Sequence, residues 1–263
     1  MATILERIIK QKKLEIQNLQ ETGMHFDHDR HQKRPFIDKL QSAKELTIIA
    51  EFKRASPSKG IINNQSMPSI QAIQYEKFGA GAISVLTDQT FFKGSFSDLK
   101  EVREAVQLPV LCKDFIIDPI QIDQADSFGA DIILLIVAAL EKEQLKELYQ
   151  YAANRGLDVL VEVHNEAELE TAISIGAKLI GVNNRNLKTF HVSLEVTESL
   201  AAKVKNAGAF LISESGIHHQ EDVKRVIHAG ANGILVGEAF MRSQNMKQMF
   251  SDFRLPLGQG VKR

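Results

Sequence analysis

The chain has 263 residues, the length of one large α/β domain, and its 44% hydrophobic content excludes a disordered protein. Its 32 basic and 33 acidic residues give a net charge of −1, which excludes the charge footprint of a general nucleic-acid-binding protein. A single cysteine, Cys112, excludes internal disulfides and a four-cysteine zinc site. The longest apolar run, residues 132–140, is too short to span a bilayer.

The first part of the chain predicts an amphipathic helix followed by a polar loop. Ile4, Leu5 and Ile8 recur at helical spacing with charged residues between and after them, which is not the pattern of a signal peptide. Residues 24–35 are rich in His, Asp and Arg and predict a loop. We therefore expect residues 1–46 to form an N-terminal helical extension, and we expect the protein to be cytoplasmic.

One local pattern recurs along the rest of the chain. A helical segment ends, Gly-Ala follows, and a short apolar run rich in β-branched residues begins. The pairs stand at Gly79-Ala80, Gly129-Ala130, Gly176-Ala177 and Gly230-Ala231. Because glycine just past a helix end adopts positive φ at little cost, each copy predicts a helix, a glycine cap and a strand.

The repeat predicts eight strands separated by helices. They lie at residues 47–53, 82–87, 109–114, 131–137, 157–163, 178–184, 209–214 and 232–237. Eight βα units favour a closed (β/α)8 barrel, the TIM barrel, and we expect residues 1–263 to form a single domain of this kind. The alternative is an open doubly wound sheet. That fold usually carries a glycine-rich nucleotide fingerprint, and the sequence contains no GxGxxG, P-loop or GxSxG motif.

Polar side chains interrupt the apolar pattern where five of the predicted strands end. Because side chains alternate along a strand, these residues are expected to face the barrel interior near its mouth. They are Glu51, Lys53, Lys113, Glu162, Asn183 and Glu214. The carboxyl-terminal ends of barrel strands hold the active site in this fold. The competing interpretation is that these charges pair with one another and only close the mouth of the barrel. So many buried charges of both signs favour a catalytic site instead.

Glycines after the last two predicted strands indicate a phosphate site. Ser215 and Gly216 follow the seventh strand and Gly237 follows the eighth, where barrels often bind phosphate through backbone N–H groups. The alternative is that both glycines only allow the chain to turn and bind no phosphate. The loop of residues 54–60 is basic, rich in small residues and typical of a lid. Glu238 is expected to point away from the phosphate.

The histidines are not predicted to hold a metal. His25, His28 and His31 have a spacing that could suit one, but a solvated polar segment is favoured. The basic run at residues 30–34 is interpreted as a solvated face. His164 follows Glu162 by two positions, yet a surface-loop role is favoured for it.

Five segments resemble, in the same order, the signature segments of the indole-3-glycerol phosphate synthase family. They are residues 49–60, 109–116, 160–164, 180–187 and 213–217. The resemblance extends from the N-terminal helix to Arg242. It implies a carboxy-lyase of tryptophan biosynthesis that converts 1-(2-carboxyphenylamino)-1-deoxyribulose 5-phosphate into indole-3-glycerol phosphate, CO2 and water. It also implies that neither a metal nor an organic cofactor is needed.

The resemblance implies roles for individual side chains. Lys113 is the general acid that activates the substrate carbonyl, and Glu162 stabilises developing positive charge and takes part in proton transfer. Lys53 and Glu51 serve the later dehydration, one as acid and one as base. The residues implied to position the substrate are Asn183, Arg185, Glu214 and Ser215. Those implied to hold its phosphate are Ser56, Gly216 and Gly237. Those implied to line the pocket for its aromatic ring are Phe92, Phe115, Leu134, Leu187 and Leu235.

Two other functions stay open for the same barrel. A Schiff-base lyase would use Lys113 or Lys53 as its nucleophile, and a phosphate-ligand sensor or scaffold would bind without turnover. About 26 residues follow Gly237, so we expect a monofunctional chain without the phosphoribosylanthranilate isomerase barrel that some family members carry. A phosphorylated small molecule is the expected substrate. Other enzymes of the pathway are conceivable partners, whereas nucleic acid and membrane are not expected.

Overall fold

The computed structural model describes residues 3–23, 26–27, 31–57, 59–63 and 65–258. His25 and His28 of the histidine segment, Arg30 of the basic run and Ser58 of the predicted lid lie outside the described residues.

The strands follow the predicted positions closely. They are β1 (Thr47–Phe52), β2 (Ala55–Ser56), β3 (Gly60–Ile61), β4 (Ala82–Leu86), β5 (Val110–Lys113), β6 (Ile132–Ile136), β7 (Asp158–Val163), β8 (Leu179–Asn183), β9 (Phe210–Glu214) and β10 (Gly233–Val236). Within the described residues, eight of them form a closed barrel in the order β1-β10-β9-β8-β7-β6-β5-β4, while β2 and β3 pair as a short antiparallel ribbon. Every pairing around the barrel is parallel, and β1 closes it by pairing with both β4 and β10. The predicted TIM barrel is confirmed, and the open sheet is excluded.

Helices alternate with the barrel strands and extend beyond both ends of that series. They are α1 (Ile4–Thr22), α2 (Phe36–Ser42), α3 (Pro68–Phe78), α4 (Gln89–Phe92), α5 (Phe96–Ala105), α6 (Pro119–Ser127), α7 (Lys142–Asn154), α8 (Glu166–Ser174), α9 (Glu195–Asn206), α10 (Gln220–Ala229), α11 (Glu238–Arg242) and α12 (Met246–Phe253). A 3-10 turn covers Val137–Ala139. Gly79 ends α3 at φ 98° and Gly230 ends α10 at φ 116°, which are left-handed values that favour glycine. No described helix is both long and apolar enough to cross a membrane.

The alternation of side chains along the strands produces two apolar layers. One layer fills the barrel and includes Ile49, Leu111, Leu160 and Ile212, all fully buried. The other lies between the barrel and its helices and includes the buried thiol of Cys112. Strands buried on both faces must be apolar on both, so the charged residues at the carboxyl ends of the strands stand out against this background.

Helix α2 closes the amino-terminal end of the barrel. Its Phe36 and Leu40 pack with the interior layer. The carboxylate of Asp158, at the start of β7, accepts hydrogen bonds from the backbone N–H groups of Phe36 and Ile37 at 2.7 and 3.0 Å. These N–H groups lack partners within the first turn of a helix, so Asp158 both satisfies them and fixes the helix to the barrel.

The prediction of a solvated face at residues 30–34 is wrong for Lys33 and Arg34. The ammonium of Lys33 pairs with the buried carboxylate of Asp126. The backbone N–H of Arg34 donates to Asp131 at 2.8 Å, and the Arg34 guanidinium donates to the carbonyl of Leu108 at 3.0 Å. These contacts bind the N-terminal extension to the helical layer, which a pattern of alternating charge does not reveal.

Candidate active site

The carboxyl-terminal ends of the barrel strands surround a cavity. All of the residues to which the resemblance assigns a role line it, namely Glu51, Lys53, Lys113, Glu162, Asn183, Glu214 and Ser215 with Ser56, Phe92, Phe115, Leu134, Arg185, Leu187, Gly216, Leu235 and Gly237. Closing the barrel brings residues from distant parts of the chain to the same volume. Their individual roles stay predictions.

Lys113 lies at the centre of an ion triad. Its Nζ is 2.9 Å from Oε2 of Glu162, at the end of β7, and 2.7 Å from Oε2 of Glu214, at the end of β9. Burial opposes the charged form of Lys113, but the surrounding carboxylates outweigh burial and raise its pKa above the ordinary range. Lys113 is therefore an ammonium with two acidic neighbours.

The two carboxyl groups of the triad differ in their tendency to ionise. Burial opposes ionisation of Glu162, yet Lys113 and the neighbouring His164 hold its pKa well below its usual range. Burial raises the pKa of Glu214 to about 7, against the opposing attraction of Lys113. The Oε1 atom of Glu214 is buried without a hydrogen-bond partner among the described residues. Glu162 is thus held ionised, whereas Glu214 gains or loses its proton near neutral pH.

A second ion pair lies at the end of β1. The Nζ of Lys53 is 2.5 Å from Oε1 of Glu51. Gly237, after β10, approaches this carboxylate so closely that a Cβ atom there would stand 2.4 Å from the same oxygen. Packing against Glu51 therefore requires glycine at 237.

An amide network orients the polar wall between β7 and β9. Asn183 donates from Nδ2 to Oε1 of Glu162 at 3.2 Å. Its Oδ1 accepts from the hydroxyl of Ser215 at 2.9 Å and from the backbone N–H of Arg185 at 3.0 Å. Ser215 has φ 65°, an unfavourable conformation for a residue with a side chain, and such strain is typical of functional sites.

The rim at the predicted phosphate side carries charges of both signs. Glu238 contacts Nζ of Lys59 at 3.7 Å and Nε of Arg242 at 3.3 Å. Its carboxylate is thus engaged by two cations, which lessens the repulsion it would exert on a phosphate. Ser56, Gly216 and Gly237 line the same cavity.

Apolar side chains also line the cavity. The rings of Phe92 and Phe115 lie 5.9 Å apart between centroids and are tilted by 34°. Leu134, Leu187 and Leu235 are further apolar residues of the lining. A flat aromatic group of a ligand fits such a surface, because aromatic and aliphatic side chains exclude water from both of its faces.

Sequence reasoning missed two contributions to the site. The surface-loop prediction for His164 is wrong: its side chain is 9% exposed, and Nε2 lies 3.2 Å from Oε1 of Glu162. The spacing of two from Glu162 was the available signal. Helix α1 is the second contribution, since its Ile4, Leu5 and Ile8 line the cavity. Helical periodicity showed an apolar face there but not what that face contacts.

Among the described residues, no cluster of three or more His, Cys, Asp or Glu side chains is arranged to hold a metal ion. His31, the described member of the histidine segment, lies at the edge of a separate surface pocket with Lys33, Arg34 and Arg103.

The fold and the cavity define a (β/α)8-barrel enzyme whose site combines ammonium and carboxylate groups with apolar lining residues. A family model described as indole-3-glycerol phosphate synthase matches residues 5–253. The chain belongs to the indole-3-glycerol phosphate synthase family.

Individual relatives agree with this assignment. Over 255 residues, the chain is 53% identical to the indole-3-glycerol phosphate synthase of Bacillus cereus strain G9842, covering 97% of this chain and 99% of that protein. The same figures hold for the protein of that name from Bacillus anthracis. Among solved structures, the N-acetylmannosamine-6-phosphate 2-epimerase from Clostridium perfringens aligns with a TM-score of 0.62, over 85% of this chain and 98% of that chain. At 18% identity, that likeness concerns the fold alone.

Proposed function

We propose that the protein is an indole-3-glycerol phosphate synthase that converts 1-(2-carboxyphenylamino)-1-deoxyribulose 5-phosphate into indole-3-glycerol phosphate, CO2 and water. The observation that carries the proposal is the placement of Lys113 between Glu162 and Glu214, in a cavity that apolar side chains also line. The reaction needs a proton donor at the substrate carbonyl and an apolar surface for the neighbouring aromatic ring. Lys113 supplies the donor, and the apolar side chains of the cavity supply the surface.

Ring closure uses the ammonium of Lys113. The aromatic carbon that bears the carboxylate attacks the carbonyl carbon, while Lys113 protonates the carbonyl oxygen to form a hydroxyl group. Positive charge then develops on the ring and its nitrogen, and the Glu162 carboxylate stabilises it. The carboxylate of the substrate leaves as CO2, and the electron pair of the broken bond restores the aromatic ring.

Dehydration uses the pair at the end of β1. Lys53 and Glu51 contact one another at 2.5 Å, as an ammonium and a carboxylate. The ammonium donates a proton to the departing hydroxyl, which leaves as water, and the carboxylate accepts the proton lost from carbon as the indole double bond forms. An acid and a base held together act on the same intermediate without rearrangement of the substrate.

The remaining residues bind and orient the substrate. Arg185, Asn183 and Ser215 position it, with Glu214 beside Lys113. Ser56, Gly216 and Gly237 hold its phosphate. Phe92, Phe115, Leu134, Leu187 and Leu235 enclose its aromatic ring. The proposed reaction needs no metal ion and no organic cofactor.

The Schiff-base alternative fits the site less well. An amine must lose its proton to attack a carbonyl. Lys113 is instead held as an ammonium by Glu162 and Glu214, which raise its pKa. Lys53 likewise contacts a carboxylate. A sensor without turnover has no use for acid and base groups on five strands.

Indole fluorescence tests the proposal directly. The protein contains no tryptophan, so new indole emission on mixing it with the carboxyphenylaminodeoxyribulose phosphate reports the product. We expect the emission to rise in buffer that contains a metal chelator, and we expect the Lys113→Ala variant to give almost none. A flat trace from folded wild-type protein contradicts the proposal. Borohydride treatment with the substrate, followed by intact mass, then tests the Schiff-base alternative.

We also propose that the enzyme acts in the cytoplasm as a single domain of residues 1–263. The free and buried thiol of Cys112 agrees with a reducing compartment. Other enzymes of tryptophan biosynthesis are proposed as partners, because they make its substrate and use its product. Co-purification from cells that express a tagged form of the chain tests this association.

A further inference from the structure

His164 takes no part in the reaction just described, yet it contacts one of the residues proposed to act in it. The residue follows the end of β7, and its side chain is 9% exposed. Its ring lies between two carboxylates. Nε2 is 3.2 Å from Oε1 of Glu162, an ion-pair contact without the geometry of a hydrogen bond, and Nδ1 is 3.0 Å from Oε2 of Glu168, with which it is hydrogen-bonded.

Glu168 binds the ring of His164 at Nδ1, the nitrogen that does not face Glu162. Its Oε2 accepts hydrogen bonds from both the backbone N–H and Nδ1 of His164, at 2.8 and 3.0 Å. Its Oε1 accepts from Nδ2 of Asn165 at 2.6 Å. Asn165 in turn caps α8 by accepting from the backbone N–H of Glu168 at 3.0 Å. The first turn of α8 is therefore a closed network that turns Nε2 of His164 toward Glu162.

Glu162 is consequently engaged at both of its oxygens. Oε2 faces Lys113 at 2.9 Å. Oε1 faces Nδ2 of Asn183 at 3.2 Å and Nε2 of His164 at 3.2 Å. Because the carboxylate has contacts on two sides, it cannot rotate about its terminal torsion without losing one of them.

We propose that Glu168 and His164 form a positioning pair, in which an imidazolium that is hydrogen-bonded to Glu168 and ion-paired with Glu162 keeps Glu162 directed at Lys113 during ring closure. This inference rests on the proposed function, since it assigns the pair to the same step. His164 is a positioning residue rather than a catalytic one, because Glu162 lines the cavity and His164 is not among the lining residues.

The charges around the ring support an imidazolium. Glu162 on β7 and Glu168 on α8 face it directly, while Lys113 on β5 lies beyond Glu162. Burial disfavours the charged ring, but the two carboxylates raise the pKa of His164 to about 10. The ring therefore carries its charge throughout the neutral range.

Steady-state kinetics of three variants test the pair. We expect His164→Leu to lower kcat about 10- to 100-fold with KM changed by less than about twofold, since Glu162 loses a buried ion-pair partner. The acid limb of kcat/KM should move up by about one pH unit, because Glu162 loses a neighbouring cation. His164→Gln keeps a donor without the charge, so it should recover part of kcat and retain the shifted limb. Glu168→Gln should give a smaller shift in the same direction.

A spectroscopic measurement separates this inference from the proposed function. Nitrogen-15 NMR of the His164 ring at about pH 8 should show an imidazolium in the wild type and a neutral ring in Glu168→Gln, whether or not substrate is turned over. His228→Gln, a change of an exposed histidine on α10, is the control and should alter neither measurement. A neutral wild-type ring, or His164→Leu with normal kcat and pH profile, overturns the positioning role. Absence of wild-type turnover overturns the proposed function alone.

Discussion

The Nζ of Lys12 lies 2.8 Å from Oδ1 of Asp114, so the N-terminal helix is bound to the residue that follows Lys113 in the chain. The same ammonium lies 3.0 Å from Oδ2 of Asp88, whose other oxygen caps α4. Phe92 is at the end of α4 and lines the cavity. One buried cation thus connects the helical extension to the end of β5 and to the start of α4.

Lys12→Met should destabilise the protein by about 3–5 kcal/mol. The change leaves two buried carboxylates, those of Asp88 and Asp114, without their cation. Urea denaturation followed by circular dichroism measures the loss. Lys13→Met, at an exposed position on the same helix, is the control and should stay within about 0.5 kcal/mol of the wild type. Equal effects of the two changes would show that the buried ion cluster does not contribute.

Lys113→Ala and Glu162→Gln should each lower kcat by about 10²- to 10⁴-fold while the fold is retained. The first removes the proposed proton donor, and the second removes the charge that stabilises the developing cation. Product fluorescence gives kcat, and circular dichroism reports folding. Lys146→Ala, a surface change on α7, should leave kcat unaltered. Near-normal turnover in both site variants is incompatible with the proposed mechanism.

Gly181→Ala should disturb Glu214 without removing any polar group. A Cβ atom at position 181 would stand 2.1 Å from Oε1 of Glu214 and 3.2 Å from Cδ1 of Leu160. The carboxylate must move, so we expect kcat to fall at least about tenfold and stability to fall by about 1–3 kcal/mol. Gly258→Ala provides the control, since no atom lies within 4 Å of its added Cβ. A fully active Gly181→Ala enzyme would show that the position of Glu214 is not critical.

The free energy of unfolding should fall as the pH rises from about 6.5 to about 10. His164 has a raised pKa of about 10 in the folded protein, because Glu162 and Glu168 outweigh the effect of burial. In this range the folded state binds more protons than the unfolded state. The stability that His164 contributes is therefore fully present below about pH 6.5 and is lost toward pH 10. The free energy of unfolding lost over this pH range is on the order of a few kcal/mol.

Urea titrations across this pH range, compared between wild type and His164→Gln, isolate the contribution of the histidine. Other groups titrate in both proteins, so the difference between the two curves is the relevant quantity. We expect that difference to shrink steadily with rising pH. A difference that is constant with pH would mean that the ring is neutral in the folded protein.

Much of the barrel could be predicted because the relevant signals are local. The glycine at 79 marks a helix end through its backbone freedom, and alternation along a single strand puts Glu51 and Ile49 on one face. The same alternation placed Lys113 and Glu162 at the mouth. Errors arose at Lys33, Arg34 and His164, whose partners Asp126, Asp131 and Glu168 belong to other elements. Charge patterns alone do not say whether a cation faces water or a buried carboxylate.

The amino-acid sequence by itself determined the order of strands and helices, the burial of the strands and the set of polar residues at their ends. These follow from periodicity, from backbone preferences and from the cost of burying charge, all of which act within a few residues. Only the tertiary structure decided which charges meet. Lys113 contacts Glu162 and Glu214 across 49 and 101 residues of chain, because the barrel closes and sets the register of its strands. The docking of α1 and the ion pairs of Lys12 with Asp88 and Asp114 also join distant parts of the chain, which no local pattern encodes.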